Sequence, residues 1–96
     1  MKIRDILKVS RCIWGEERLS LPQIIVRLGK VFGDICFIQR SLEEEREASE
    51  KELKKELGNL VVSTIRWCDD LGFNPEECVV EAFEAQKKYV ERLKKF

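Results

Sequence analysis

The strongest constraint in this sequence is a long apolar stripe with helical spacing in its first half. A Ser20 cap with Gln23 three residues later, and Pro22 in the first turn, predict a helix that begins near Leu21. Its apolar positions recur every three or four residues: Ile24, Ile25, Leu28, Val31, Phe32, Ile35, Cys36, Phe37, Ile38 and Leu42. This stripe is too wide for a single partner helix to bury it all.

A second segment with the same period follows a polar stretch. Ser49 with Glu52 predicts a capping box, so we expect the third helix to start near Glu50. Its stripe contains Leu53, Leu57, Leu60, Val61, Thr64, Ile65, Trp67, Cys68 and Leu71, and Gly72 ends it. A single rod of about fifty residues is the alternative, since the polar stretch contains neither Gly nor Pro. The capping box and the lost apolar period favour a turn.

Two further helices flank this pair. The first carries apolar residues from Ile3 to Trp14 and ends at Gly15, and the fourth begins at an Asn74 cap followed by Pro75. The fourth helix is expected to bury Val79, Ala82, Phe83, Tyr89, Val90 and Leu93. The sequence therefore predicts a single all-α domain, residues 1–96, with four helices around a central antiparallel helix hairpin.

Length and charge limit what such a domain can do. A chain of 96 residues builds a marginal core, so we expect a homodimer in which two hairpins form a four-helix bundle, with Phe37 and Ile38 at the contact. Lys and Arg total 18 and Asp and Glu total 18, so no basic field favours nucleic acid or an anionic membrane. No apolar run could span a bilayer and no signal-peptide pattern is visible, which favours a cytoplasmic protein.

The four cysteines do not predict a metal centre. They lie far apart without a C-x-x-C pair, and the chain has no histidine to complete a zinc site. We expect buried apolar thiols, as in intracellular proteins. The cysteines are Cys12, Cys36, Cys68 and Cys78.

Three oxygen-bearing side chains interrupt the apolar stripes of the hairpin. If the turn centres near Glu45, residues equidistant from it lie level, so Asp34 should face Glu56, with Asn59 one turn further along. Such a set could bind a hard cation such as Mg²⁺, or could lie on the solvated edge of the bundle. Gly33 would lie close to Gly58, a pairing that suggests close approach of the two backbones.

The same segments resemble the motifs of the MazG-like all-α NTP pyrophosphatases. Residues 28–35 (LGKVFGDI) resemble the family motif L-x-E-E-x-G-E-L, and residues 55–61 (KELGNLV) resemble its second half, E-E-L-G-D-L. Residues 71–77 (LGFNPEE) are similar to the L-G-I-D-P-E-E turn, and residues 85–92 (AQKKYVER) to the closing A-N-x-K-F-x-x-R segment. The likeness covers roughly residues 20–92 and is stronger in order and spacing than in identity.

The resemblance implies hydrolysis of nucleoside triphosphates to the monophosphate and pyrophosphate with Mg²⁺ held by the acidic motifs. Asp34 and Glu56 match family acids, and Asn59 stands where the family has aspartate. Lys30 and Val31 stand where it has paired glutamates, so at most a weak Mg²⁺ site is implied. The neighbouring acids Glu43, Glu44 and Glu47 are interpreted as solvated surface at the turn.

The sequence is compatible with three candidate functions. The first is a MazG-like protein with a degenerate metal site and weak or lost activity, acting as a binding or assembly module. The alternative is an active Mg²⁺-dependent pyrophosphohydrolase, and the third is an unrelated helical interaction domain. In the active reading the substrate is a nucleotide whose phosphates would contact Lys30, Lys87, Lys88 and Arg92. We assign no catalytic residue.

Overall fold

Four α-helices make up the regular structure of the described chain. The computed structural model describes residues 1–42 and 46–95, with the side chains of 46–49 excepted. The helices are α1 (Ile3–Trp14), α2 (Leu21–Ser41), α3 (Arg46–Asp70) and α4 (Pro75–Lys94). Within these ranges there is no strand, so the predicted all-α class is confirmed. None of the described helices is long and apolar enough to cross a membrane.

Local capping chemistry explains most of the helix boundaries. The Ser20 hydroxyl accepts from Gln23 N at 3.4 Å, and the side-chain Oδ1 of Asn74 accepts from Glu76 N at 2.8 Å. Gly15 and Gly72 end α1 and α3 with φ of 87° and 84°, a left-handed backbone region that glycine enters without strain. The predicted starts of α2 and α4 and the predicted ends of α1 and α3 are therefore confirmed.

The predicted start of α3 is wrong. The helix begins at Arg46 rather than near Glu50, so Ser49 lies within it and not at its start. Glu, Arg and Ala are good helix formers, and extending a helix through them costs little even without an apolar stripe. The side chains of the acidic cluster Glu43, Glu44 and Glu47 lie outside the described residues.

The chain folds back between α2 and α3. A continuous helix through both would be about 75 Å long, whereas the longest dimension of the molecule is 47 Å, so the single-rod alternative is wrong. Among the described helices, α2 packs only against α3, and it does so along its whole length, because Ile24, Val31 and Ile38 are all buried. The two helices therefore form the predicted antiparallel hairpin. Helices α1 and α4 both contact α3, and they also contact each other.

The core inside one chain is small. Its buried apolar side chains, within the described part, are Ile24, Val31, Ile38, Ile65 and Trp67. The accessible surface is 8032 Å², about 2,300 Å² more than a folded monomer of this mass normally exposes. The radius of gyration is 16.2 Å, against about 12.5 Å for a compact domain of this length. The chain thus leaves apolar surface that a monomer of ordinary compactness would cover.

Helix α4 is the least covered element. From Val80 to Lys95 every residue is exposed, and Phe83 retains 57% of its accessible surface. The predicted burial of Ala82, Phe83, Tyr89, Val90 and Leu93 is therefore wrong within one chain, and Val79 is only half-buried. Helical periodicity shows that a face is apolar, but it does not show what covers that face.

The expected close approach at Gly33 and Gly58 is also wrong. A Cβ atom built on either glycine meets no atom within 4 Å, and both residues are exposed. We call the contact between α2 and α3 the seam of the hairpin. Both glycines lie on the sides of their helices that point away from this seam. Nothing within the described chain requires a glycine at either position.

Replacing these two glycines should stabilise the chain. Gly33→Ala and Gly58→Ala should each raise the free energy of unfolding by about 0.5–1 kcal/mol, because alanine restricts the unfolded chain and favours the helix. Gly72→Ala is the matched control and should lower it, since its φ of 84° strains a side chain. Urea unfolding measures all three, and a loss of stability at Gly33 or Gly58 would contradict the open space seen there.

Candidate functional site

The predicted metal-binding residues lie along one edge of the hairpin. Asp34 on α2 is half-buried, and its carboxylate accepts from Lys30 Nζ at 3.0 Å, one helical turn away. Glu56 on α3 is half-buried and Asn59 is exposed. Helical spacing puts Asp34, Glu56 and Asn59 on the same side of the seam between the helices. Asp34 and Glu56 therefore lie near the seam, but Asp34 already forms an ion pair with Lys30.

The residues present fit a tightly held Mg²⁺ poorly. Within the described ranges, no group of three or more acidic or cysteine side chains is placed to hold a metal ion. Lys30 forms an exposed ion pair with Asp34 at 3.0 Å, and Mg²⁺ would compete with it for the carboxylate. Val31, at a position where the family has a glutamate, is 8% exposed in the seam against α3. Restoring a carboxylate there would put it in the core rather than in a metal site.

The predicted phosphate-binding residues fall into two groups. Lys30 lies beside Asp34, whereas Lys87, Lys88 and Arg92 lie on the exposed part of α4. Among the described helices α4 packs against α3 and α1 and not against α2. Within one chain, the cations of α4 and Asp34 of α2 therefore lie on helices that do not pack against each other.

A second feature of the hairpin is an uncovered apolar face. On α2 its residues follow the spacing i, i+4, i+7 and i+11, and on α3 they are separated by one turn. Their exposed fractions run from 40% for Leu28 to 68% for Phe32. We call this set the hairpin face: Leu21, Ile25, Leu28, Phe32, Leu57 and Val61.

The two stripes of the hairpin face lie on the same side of the molecule. On each helix the exposed stripe lies about a quarter turn around the helix axis from the side that contacts the other helix. Viewed along the chain direction, the quarter turn goes the same way on both helices. Because the helices run antiparallel, that shared sense leads both stripes to one side. Leu57 and Val61 lie about as far from the connecting residues as Phe32 and Leu28 do, so the stripes overlap in height.

The sequence pointed to a different contact for self-association. Ile38 is 9% exposed and belongs to the seam, so it is not free to meet a second chain. Phe37 is 70% exposed but lies outside the hairpin face, on the side of α2 turned away from α3. The structure thus replaces Phe37 and Ile38 with Phe32 and Leu28 as the exposed apolar residues beside the seam.

A buried ion cluster joins α1 to the end of α3. Arg11 Nη2 lies 2.5 Å from Asp70 Oδ1 and 2.6 Å from Asp69 Oδ2, and Arg18 contacts the carbonyl oxygen of Asp69. Burial alone would lower the pKa of Arg11, but its hydrogen bonds to Asp69 and Asp70 outweigh this and raise it. Asp70 Oδ2 is buried without a hydrogen-bond partner in the described chain. This cluster fixes where α1 docks.

The cysteines do not match the expectation of four buried thiols. Cys12 and Cys36 are exposed, whereas Cys68 and Cys78 are half-buried. Burial and a hydrogen bond with the Cys78 thiol raise the pKa of Cys68 to about 11. Cys36 borders the hairpin face on α2, so its exposure is part of the same uncovered surface.

Sequence reasoning missed the buried polar residues at the junction of α1 and α3. Ser10, Arg11, Ser63, Arg66 and Asp70 are all less than 10% exposed. A signal was available, because Asp69 and Asp70 occupy the last turn of α3, where the helix dipole disfavours acids. Acids there need a cation from another element, and Arg11 supplies it.

No family model, curated protein or solved structure matches this chain. Any assignment to the MazG-like family therefore rests on the motifs in the sequence.

The ion cluster predicts unequal roles for its two acids. Asp70→Ala should lower the free energy of unfolding by about 3 kcal/mol, because Arg11 would stay buried with half of its partners removed. Asp69→Ala is the matched control and should cost less than half as much, since the Asp69 side chain is 26% exposed and that of Asp70 is fully buried. Urea unfolding compares the two, and equal losses would refute the asymmetry.

Proposed function

We propose that this chain is a MazG-like helical module that self-associates through the hairpin face and has weak or lost pyrophosphohydrolase activity. The observation that carries the proposal is the contiguous exposed apolar surface on one side of the hairpin. A water-exposed surface of this kind is characteristic of interaction sites rather than of a finished monomer. The occupant we propose is a second copy of the same chain.

The area of uncovered surface supports a second copy as the occupant. A stable interface of standard size buries about 800 Å² per partner, and an obligate homodimer about 1,000–2,500 Å². The excess surface of about 2,300 Å² per chain, part of which lies on α4, is large enough to include an interface of this size. Two hairpins packed through their hairpin faces would make a four-helix bundle, in which each α2 buries the part of its stripe that α3 leaves open.

The state of the acidic motifs supports the loss of activity. Asp34 pairs with Lys30, and Asn59 carries no charge. Affinity for a hard divalent cation follows the number and charge of its oxygen ligands. We therefore propose at most one weak Mg²⁺ site at Asp34, Glu56 and Asn59, and nucleotide binding without efficient hydrolysis.

Charge placed on the hairpin face should separate the chains. Phe32→Lys should weaken dimerisation by about 2 kcal/mol or more, because a central apolar anchor would become a buried charge. Phe37→Lys is the matched control, since Phe37 lies on the same helix and is 70% exposed against 68% for Phe32. Sedimentation equilibrium should find Phe32→Lys monomeric at concentrations where Phe37→Lys and the original chain are dimers.

If instead Phe37→Lys is monomeric and Phe32→Lys is a dimer, the contact between chains lies on the side of Phe37. A chain that is monomeric without any substitution at tens of micromolar would remove self-association from the proposal. Circular dichroism on both variants checks that helix content is unchanged. Neither residue belongs to the small core, so both variants should fold.

The alternative function is an active Mg²⁺-dependent NTP pyrophosphohydrolase, and it has a direct test. The original chain, given a panel of nucleoside triphosphates with Mg²⁺, should release little or no pyrophosphate above the blank even at high protein concentration. Steady release at an ordinary enzymatic rate, about 1 s⁻¹ per chain or faster, would establish the alternative.

Restoring acids should strengthen Mg²⁺ binding if the site is placed correctly. Lys30→Glu combined with Asn59→Asp should raise Mg²⁺ affinity by roughly tenfold or more, because both positions are exposed and each change adds a carboxylate near Asp34 and Glu56. Lys51→Glu combined with Lys8→Gln is the charge-matched control, since both double variants lower the net charge by three units and both control positions are exposed and outside the motifs. Calorimetry that finds equal affinity in both double variants would show that the site lies elsewhere.

A further inference from the structure

A small cavity lies where the end of α1, the connection to α2, and helices α2 and α3 meet. Its volume is about 70 Å³, and it is lined by Trp14, Glu17, Leu19, Arg27 and Arg66. Two of these five residues are arginines from different helices. The cavity shares no lining residue with the acidic edge at Asp34 or with the hairpin face.

Arg66 is buried without a carboxylate of its own. It is 6% exposed, and its guanidinium lies 5.0 Å from the centre of the Trp14 ring. Its Nη1 donates to Ser10 Oγ at 3.2 Å, and within the described chain Arg66 makes no ion pair. Stacking on an aromatic ring offsets part of the cost of burial, but it does not neutralise the charge.

The charges around Arg66 are mostly of its own sign. Burial lowers the pKa of Arg66; the charge of Asp70 opposes this, while Arg11 and Arg27 add to it. Asp70 lies one helical turn from Arg66 on α3; its Oδ1 is held by Arg11 at 2.5 Å and its Oδ2 has no hydrogen-bond partner in the described chain, yet Asp70 forms no ion pair with Arg66 there. A buried cation that lacks a counter-ion is costly, and proteins normally supply one or bind one.

We propose that this cavity binds a single tetrahedral oxyanion of the phosphate class, held between Arg66 and Arg27. The cavity is small, about 70 Å³, and two of its five lining residues are arginines, which suits a compact anion such as phosphate. Guanidinium groups donate paired hydrogen bonds that match phosphate oxygens. The anion supplies the counter-ion that Arg66 lacks, and a free phosphate or the phosphoryl group of a monoester offers the same chemistry.

Glu17 is the rival from within the chain. It also lines the cavity and is exposed, yet it forms no ion pair within the described chain. If its carboxylate turned inward, it would neutralise the arginines and exclude phosphate. Removal of the Glu17 charge separates the two accounts. If Glu17 only competes with phosphate, its removal strengthens phosphate binding. If Glu17 is the internal counter-ion, its removal destabilises the chain.

Calorimetric titration of the intact chain with inorganic phosphate at fixed ionic strength tests the site. One phosphate should bind per chain, and Arg27→Gln should weaken binding at least about tenfold, the loss expected for a charge-assisted hydrogen bond. Arg40→Gln is the matched control, an exposed arginine further along the same helix, and should change nothing. Glu17→Gln should strengthen phosphate binding and leave the melting temperature without phosphate unchanged.

A parallel titration with a nucleoside monophosphate identifies the source of the anion. Equal affinity for both ligands means that the site reads the phosphoryl group alone, and tighter binding of the monoester means that the rest of that molecule contacts the rim. Absence of saturable binding of either ligand, or equal effects of Arg27→Gln and Arg40→Gln, would overturn the proposal. So would a lower melting temperature of Glu17→Gln, which would mark Glu17 as the counter-ion. Because Arg27 lies across the seam from the hairpin face, a monomeric chain would leave this test intact.

Discussion

The structure depends on one constraint: the apolar stripe of α2 is wider than the surface that α3 covers. Ile24, Val31 and Ile38 fill the seam, whereas Ile25 and Phe32, a quarter turn away, stay exposed. No other described helix reaches α2 to cover them. This exposed stripe and the exposed helix α4 both contribute to the large accessible surface and the large radius of gyration.

The polar cluster at the other end of α3 compensates for part of this shortage. Arg11, Asp69 and Asp70 hold α1 against α3 through charge-assisted hydrogen bonds where a larger domain would use apolar contacts. Buried ion pairs add little net stability, but they fix geometry, because a shifted helix would leave a buried charge unpaired. The cluster therefore determines the docking of α1, and with it the cavity beneath Trp14 and Arg66.

Features encoded by neighbouring residues were predictable from the sequence, and features that depend on distant ones were not. The Ser20 and Asn74 caps and the Gly72 stop are set within one turn of the chain, and the structure confirms all three. The start of α3 was misplaced because a polar segment of good helix formers continues the helix without an apolar signal. Spacing alone placed Asp34 and Glu56 beside the seam. It could not reveal the Lys30 ion pair or the burial of Arg66, because rotamers and tertiary packing decide both.

Self-association through the hairpin face is the central claim, and contacts between chains measure it most directly. In an equimolar mixture of isotope-labelled and unlabelled chains, filtered nuclear Overhauser spectra detect only protons on different molecules. The account predicts contacts between the Phe32 ring of one chain and the Leu28, Leu57 or Val61 methyl groups of another. A dimer whose intermolecular contacts come from α4 or Phe37 alone, or a sample without any such contacts, would contradict it.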